Sequence, residues 1–90
     1  MYTVYVLLSL KDGKTYTGCT NNITRRFFDH NSGKEISTKA REPFKLIYFE
    51  RFEELSPARL REIFLKTGKG KDFVRKNCIL NGITPPEAEP

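Results

Sequence analysis

Tyr5 and Tyr16 stand eleven positions apart, and Gly18, Arg26, His30 and Glu62 follow them in order. Two phenols, a guanidinium, an imidazole and a carboxylate can move a proton, offset an anion and hold one hard divalent cation. A phosphodiester attacked by water makes those demands. The water must lose a proton, the phosphoryl charge must be neutralised, and the leaving oxygen must be stabilised. Each residue alone has a plainer reading. A strand tyrosine is usually packing, an arginine beside an apolar stripe snorkels, a single histidine is commonly structural, and a glutamate among basic residues on a helix is commonly a surface ion-pair partner. Their order and spacing, on elements able to face one another, give the set its meaning.

The elements follow from local pattern. Tyr2 to Leu10 (YTVYVLLSL) is β-branched, aromatic and almost continuously apolar, which predicts a strand near 2–9, central or covered on both faces. Lys11-Asp12-Gly13-Lys14 predicts a hairpin turn. The returning strand is expected near 14–19, interrupted by Gly18, a residue type that often marks close approach of a ligand or another backbone. Thr20, Asn21 and Asn22 are N-cap candidates for a helix near 22–31, stopped by Ser32-Gly33. Ile23 and Phe27 mark its inward face. Arg26 and His30 fall in the same arc, so both should point at the sheet.

Residues 34–43 read as a polar, basic loop closed by Pro43, and FKLIYFERF predicts a third strand near 44–52. Ser56-Pro57 supplies an N-cap and a first helical position for a helix near 57–66, ended by Gly68. Leu60, Ile63 and Phe64 lie on one side of that helix, Ala58 and Leu65 on another, so periodicity leaves the direction of Glu62 open. Gly68-Lys69-Gly70 reads as a flexible joint before a short basic helix near 71–79. The expected fold is α/β (α+β), one domain over 1–82. A small three-stranded antiparallel sheet, the hairpin plus the third strand, is flanked by helices, and 83–90 form a disordered tail.

Ninety residues make one domain with a modest core, and 38% hydrophobic residues exclude a disordered chain. No apolar run approaches the ~20 residues of a membrane span. The N-terminus lacks the features of a signal peptide, so a cytoplasmic protein is expected. Cys19 and Cys78 are then free thiols rather than a disulfide, and no Cys/His cluster exists for zinc. The net charge of +5 points to a polyanionic partner. Over 66–84, Lys66, Lys69, Lys71, Arg75 and Lys76 face one acid, Asp72. Over 34–47, Lys34, Lys39, Arg41 and Lys45 outnumber Glu35 and Glu42. Lys39, Arg41, Lys66, Lys69, Lys71 and Lys76 are the candidate phosphate contacts.

Taken together, these residues resemble the GIY-YIG nuclease superfamily. Its first signature stands as Thr3-Val4-Tyr5 and its second as Tyr16-Thr17-Gly18. Arg26, ten residues after Tyr16, matches the family's helix arginine, and His30 follows four later, as in several members. Glu62 matches the metal-binding glutamate of a later helix, and Asn77, fifteen beyond it, a supporting asparagine. The resemblance spans about residues 2–80. It is strongest to stand-alone bacterial proteins described as excinuclease-subunit-C-like, whose shared stretches include residues 17–33 and 37–50. The chain departs at Thr3 (for Gly), Val4 and Thr17 (each for Ile), and no second, DNA-reading domain is expected within these ninety residues.

The resemblance implies a divalent-metal-dependent endonuclease acting on DNA, in repair, recombination or processing. Glu62 would hold one Mg²⁺ or Mn²⁺, an ion that needs few protein ligands because it keeps several waters. Arg26 would pair with the scissile phosphate. Tyr5 would take the proton from water, with Arg26 and the metal favouring the phenolate and His30 accepting its proton. Tyr16 would orient water or phosphate, Gly18 would let DNA approach closely, and Tyr5, Tyr16, Arg26, His30 and Glu62 would converge on one concave surface. Gly18 and Asn77 join the basic residues as nucleic-acid contacts. The implied partner is nucleic acid, DNA first, with a larger repair assembly possible, no membrane, and a monomer or weak dimer. The alternatives are a catalytically silent nucleic-acid-binding module of the same fold and a nuclease active only with a partner. Single-stranded, duplex and branched DNA, or RNA, stay open as substrates.

Overall fold

Nearly continuous burial along one strand decides the architecture. In a computed structural model of the protein, which describes residues 1–77, β1 (Tyr2–Ser9) runs between β2 (Thr15–Thr20) and β3 (Phe44–Phe52), antiparallel to both, in the order β2-β1-β3. Val4, Tyr5, Val6 and Leu7 are all buried, as the nearly continuous apolar run requires of a central strand covered on both faces. Tyr5 and Leu7 pack with Phe44 and Leu46 beneath α1 (Ile23–Asn31), joined by Tyr16, Ile23 and Phe27. Val4 and Val6 pack on the other face with Tyr48, Ala58, Leu65 and Val74, beneath α2 (Leu55–Leu65) and α3 (Gly68–Arg75). The β1–β3 register shifts between Val6 and Leu7, where Ile47 is the extra residue. That bulge lets Ile47 and Tyr48 pack against the same core.

Local chemistry places the connections. Gly13 takes a left-handed φ of 73° in the hairpin turn, closed by Ser9 N–H donating to Lys14 O at 2.9 Å. Asn22 caps α1, its side-chain oxygen accepting from Arg25 N–H at 3.1 Å. Gly33, at φ 79°, turns the chain out of α1 after Ser32. Asn31 then fastens the helix to β3, its amide donating to Phe44 O and accepting from Phe44 N–H. Behind the sheet, Arg61 pairs with Glu50 at 3.0 Å and lies over the rings of Phe64 and Phe73, 4.9 and 4.8 Å from their centroids. This ties α2 to β3 and α3.

Three expectations are corrected. The segment read as a loop over 34–43 contains a 3-10 helix, Ile36–Arg41. Its i to i+3 pattern is too short to leave a periodic apolar signature. α2 begins at Leu55, with Glu54 at the N-cap position and no side-chain cap bond, so Ser56 is not its N-cap and Pro57 lies at its third position. A proline there costs nothing, because the first four helical N–H groups have no partner within the helix. Gly68-Lys69-Gly70 is the first turn of α3, not a joint. Thr67 caps it, its hydroxyl accepting from Gly70 N–H at 3.1 Å. A β-carbon on Gly70 would sit 2.0 Å from the Phe64 carbonyl oxygen, so this glycine is required for helix packing. Cys78, the end of the expected third helix and the expected tail over 83–90 lie outside the described residues. Cys19 is a free thiol.

Gly70→Ala therefore has an expected sign opposite to that of a flexible joint. An alanine in an unencumbered helix would stabilise by about 1 kcal/mol. Overpacking against the Phe64 backbone should instead destabilise by about 1–3 kcal/mol or more. Urea unfolding of the two proteins distinguishes them.

Candidate active site

Three elements bring four of the five expected catalytic side chains together on the α1 face. β1 supplies Tyr5, which is 1% exposed. Opposite it on β2 stands Gly18, and two residues earlier on the same face is Tyr16. α1 supplies Arg26 and His30 from the arc they share, and His30 is fully buried. The Tyr5 hydroxyl hydrogen-bonds His30 Nε2 at 3.0 Å. The Tyr16 ring lies 5.0 Å from the imidazole and 6.5 Å from the Tyr5 ring, centroid to centroid. Phe44 closes the imidazole's remaining side at 5.9 Å.

Gly18 has a structural reason of its own. A β-carbon there would stand 2.5 Å from the Tyr5 hydroxyl oxygen, so the glycine admits the phenol that bonds to His30. The close approach foreseen for this residue is made by Tyr5 itself. Arg26 spans the cluster and the surface. Its terminal nitrogen pairs with Glu35 at 3.1 Å, while its Nε is buried with no hydrogen-bond partner among the described residues. Beside it opens a polar cleft of about 280 Å³, lined by Thr20, Asn21, Asn22, Arg25, Arg26 and Asp29.

The electrostatics revise the expected state of Tyr5. Burial pushes its pKa up to about 12, outweighing the lowering influence of the Arg26 guanidinium. Tyr5 is thus a neutral phenol at physiological pH, and without help its phenolate is not a resting species. His30 moves the other way. Burial first, and the positive charge of Arg26 second, hold its pKa below the ordinary histidine value, so the imidazole is neutral near pH 7. A neutral imidazole against a neutral phenol is a proton acceptor set beside a proton donor.

Two residues at this cluster were not foreseen. Thr38, fully buried on the 3-10 helix, places its hydroxyl 2.7 Å from His30 Nδ1. Glu35, just before that helix, pairs with Arg26. Nothing in the local pattern singles them out, because their roles arise where the segment folds over α1.

The expected convergence of all five side chains on one surface is corrected for Glu62, which stands apart because α2 packs on the other face of the sheet. Its carboxylate pairs with Arg59 and Lys66, each at 3.1 Å. On the sheet its electrostatic neighbour is Cys19, the residue after Gly18, whose thiol pKa is raised by burial with Glu62 adding in the same direction. Glu62 and the Tyr5–His30 pair thus address β2 at adjacent positions from opposite faces, and β2 is an edge strand. Among the described residues no group of three His, Cys, Asp or Glu side chains could chelate a metal. A lone, mostly buried carboxylate fits a hard cation such as Mg²⁺ or Mn²⁺, which would complete its shell with water and phosphate oxygens. It does not fit a metal demanding several soft ligands.

The expected nucleic-acid contacts divide. Lys39, Lys69, Lys71 and Lys76 are exposed. Arg41 is engaged within the fold, pairing with Asp12 and donating to Thr15 O, which clamps the hairpin turn to the 3-10 helix. Lys66 is held by Glu62. The Asn77 amide donates to Phe73 O at 2.8 Å, at the end of α3.

A three-stranded antiparallel sheet with helices on both faces thus presents a phenol–imidazole pair and a guanidinium on β1 and α1. The chain belongs to the GIY-YIG family, whose catalytic-domain model matches residues 1–77. It is similar to a UPF0213 protein of Clostridium perfringens, 45% identical over 67 residues, covering 73% of this chain and 71% of that one. A UPF0213 protein of Staphylococcus haemolyticus is 43% identical over 65 residues, covering 71% of this chain and 78% of that one. The solution structure of a UPF0213 protein from Bacillus halodurans superposes with a TM-score of 0.52 at 34% identity, covering 84% of each chain. No helix among the described residues is long and apolar enough to cross a membrane.

Proposed function

We propose that this chain is a divalent-metal-dependent endonuclease that hydrolyses phosphodiester bonds in DNA. The observation that carries this reading is the buried hydrogen bond between the Tyr5 hydroxyl and the neutral His30 imidazole, beside a guanidinium that reaches an open polar cleft. Arg26 binds a phosphate oxygen and offsets its charge. Tyr5 accepts a proton from the attacking water as its own hydroxyl proton passes to His30 Nε2. No free phenolate is needed, which accommodates a pKa of about 12. A new P–O bond forms, the bond to the leaving oxygen breaks, and that oxygen takes up a proton from solvent. Tyr16, on the rim of the cluster, orients the water or the phosphate. Glu62 would hold Mg²⁺ or Mn²⁺, and the ion would supply Lewis-acid stabilisation of developing charge. A phosphodiester laid across the open edge of β2 at Gly18 would be within the compass of both faces.

One observation favours a second reading, a nucleic-acid-binding module of this fold without turnover. Glu62 is already neutralised by two cationic side chains, Arg59 and Lys66. Cleavage assays on single-stranded, duplex and forked DNA, with Mg²⁺, Mn²⁺ or chelator, decide between them. Metal-dependent cleavage supports the nuclease. Binding with no cleavage under any metal supports the silent module.

Binding itself should be strongly salt-dependent. Lys69, Lys71 and Lys76 are exposed on and just beyond α3. Neutralising all three should weaken binding alike on all sequences. It should also flatten the log–log salt slope by about 1 for each phosphate that a lysine no longer neutralises. Fluorescence anisotropy between about 50 and 200 mM salt measures this. A change in sequence preference at unchanged slope would show that these lysines read bases.

A further inference from the structure

His30 is the only histidine in the chain, and its imidazole is enclosed on every side. Tyr5 meets Nε2 at 3.0 Å and Thr38 Oγ1 meets Nδ1 at 2.7 Å. A neutral imidazole has one N–H, so these two bonds cannot both be donated by the ring. The surrounding donors and acceptors decide which nitrogen carries the proton. The Tyr5 hydroxyl lies between His30 Nε2 and the guanidinium of Arg26, and a guanidinium has only donors. If Nε2 carried the proton, the Tyr5 oxygen would face two donors and its own hydrogen would be left without its partner. If Nδ1 carries it, all three groups are satisfied. Nδ1–H donates to Thr38 Oγ1, the Thr38 hydroxyl donates onward to Glu35 O at a long 3.5 Å, and Tyr5 O–H donates to Nε2.

We infer that Thr38 is a positioning residue that holds His30 as the Nδ1–H tautomer, so that the Nε2 lone pair is aimed at the Tyr5 hydroxyl. The inference rests on the nuclease reading only for its consequence, since the tautomer exists without turnover. It assigns a task to the 3-10 helix, which closes over α1 and brings a hydroxyl to the buried side of the ring. When the Tyr5 proton arrives at Nε2, the imidazolium keeps its second N–H bonded to Thr38, so no buried donor is left unpaired. The other charged groups near the ring are Arg26 and Asp29 on α1 and Glu35 beside the 3-10 helix. None of these bonds a ring nitrogen, so among the described residues Thr38 alone fixes the far side of the imidazole.

The single histidine makes the test direct. Imidazole nitrogen and carbon chemical shifts of isotope-labelled protein report which ring nitrogen is protonated, with no other histidine to overlap. Near pH 8 the expected spectrum of the wild type is that of the Nδ1–H form. Thr38→Ser keeps the hydroxyl and should keep that spectrum. Thr38→Val keeps the shape but removes the acceptor, and should move population to the Nε2–H form or to exchange between the two. In cleavage assays Thr38→Val should lower kcat by about 10–100-fold with KM nearly unchanged, and Thr38→Ser should restore most of it. A wild-type spectrum of the Nε2–H form would overturn the inference even if Thr38→Val fails to fold. So would a folded Thr38→Val protein with an unaltered tautomer. Loss of the nuclease reading would show separately, as a wild type that has the Nδ1–H spectrum but never cleaves.

Discussion

Tyr5→Phe is expected to lower single-turnover cleavage by about 10²–10⁴-fold, the range in which a positioned acid–base group acts. The substitution deletes one oxygen from a ring that is almost wholly buried, so the packing of β1 beneath α1 survives. It leaves His30 Nε2 without its hydrogen bond, which should cost about 1–3 kcal/mol of stability without unfolding the domain. Nucleic-acid affinity should stay near wild type, because Arg26 and the surface lysines are untouched. The pH dependence separates a proton relay from a packing role. The Tyr5 phenol ionises only near pH 12, so it contributes no titration between pH 5 and 9. His30 must be neutral to accept the proton, and its pKa is displaced below the ordinary 6.5. The wild-type rate should therefore be level above about pH 7 with respect to this group, and fall as acid protonates the imidazole. In Tyr5→Phe that acid limb should vanish along with most of the rate. A variant with wild-type rate and pH profile would show that the phenol only packs.

Glu62→Ala should reduce cleavage by about 10²–10³-fold or more, the scale on which loss of a transition-state charge stabiliser acts, while binding persists. Glu62 is the only acidic residue of α2, and removing its carboxylate frees Arg59 and Lys66 from their ion pairs. Two more uncompensated cations on this face should leave affinity for a polyanion unchanged or raised. Each pair is partly exposed, so the stability change should be small. Titrating Mn²⁺ in single-turnover cleavage tests the assignment. The variant should show no recovery of wild-type rate at any concentration. Full activity of Glu62→Ala at ordinary metal levels would remove Glu62 from the reaction and place the metal elsewhere.

Much of the fold was legible because each strand and helix announces itself over a few residues. The run YTVYVLLSL can only be a covered strand, Asp12-Gly13 can only turn tightly, and Asn22 and Ser32-Gly33 bracket α1. The errors fell where a local reading had a tertiary competitor. Gly70 looks like freedom in a sequence, yet it is the place where α3 touches the α2 backbone. Pro57 looks like a helix start, yet the unbonded first turn tolerates it two residues inside.

The sequence by itself determined which groups are available and turned Tyr5, Tyr16, Arg26 and His30 toward one another, while the family pattern placed Glu62 on that surface too. Tyr5 and Tyr16 lie on paired strands, and the 3.6-residue period puts Arg26 and His30 on the face of α1 that covers them. Only the tertiary structure decided their chemical states. Burial is a property of the assembled core, so the neutral phenol of Tyr5, the neutral imidazole of His30 and the bond between His30 and Thr38 could not be read from spacing. Folding also decided the place of Glu62. Its helix is apolar on two sides, and only the packing of Ala58 and Leu65 against Val4 and Val6 set it on the far face of the sheet.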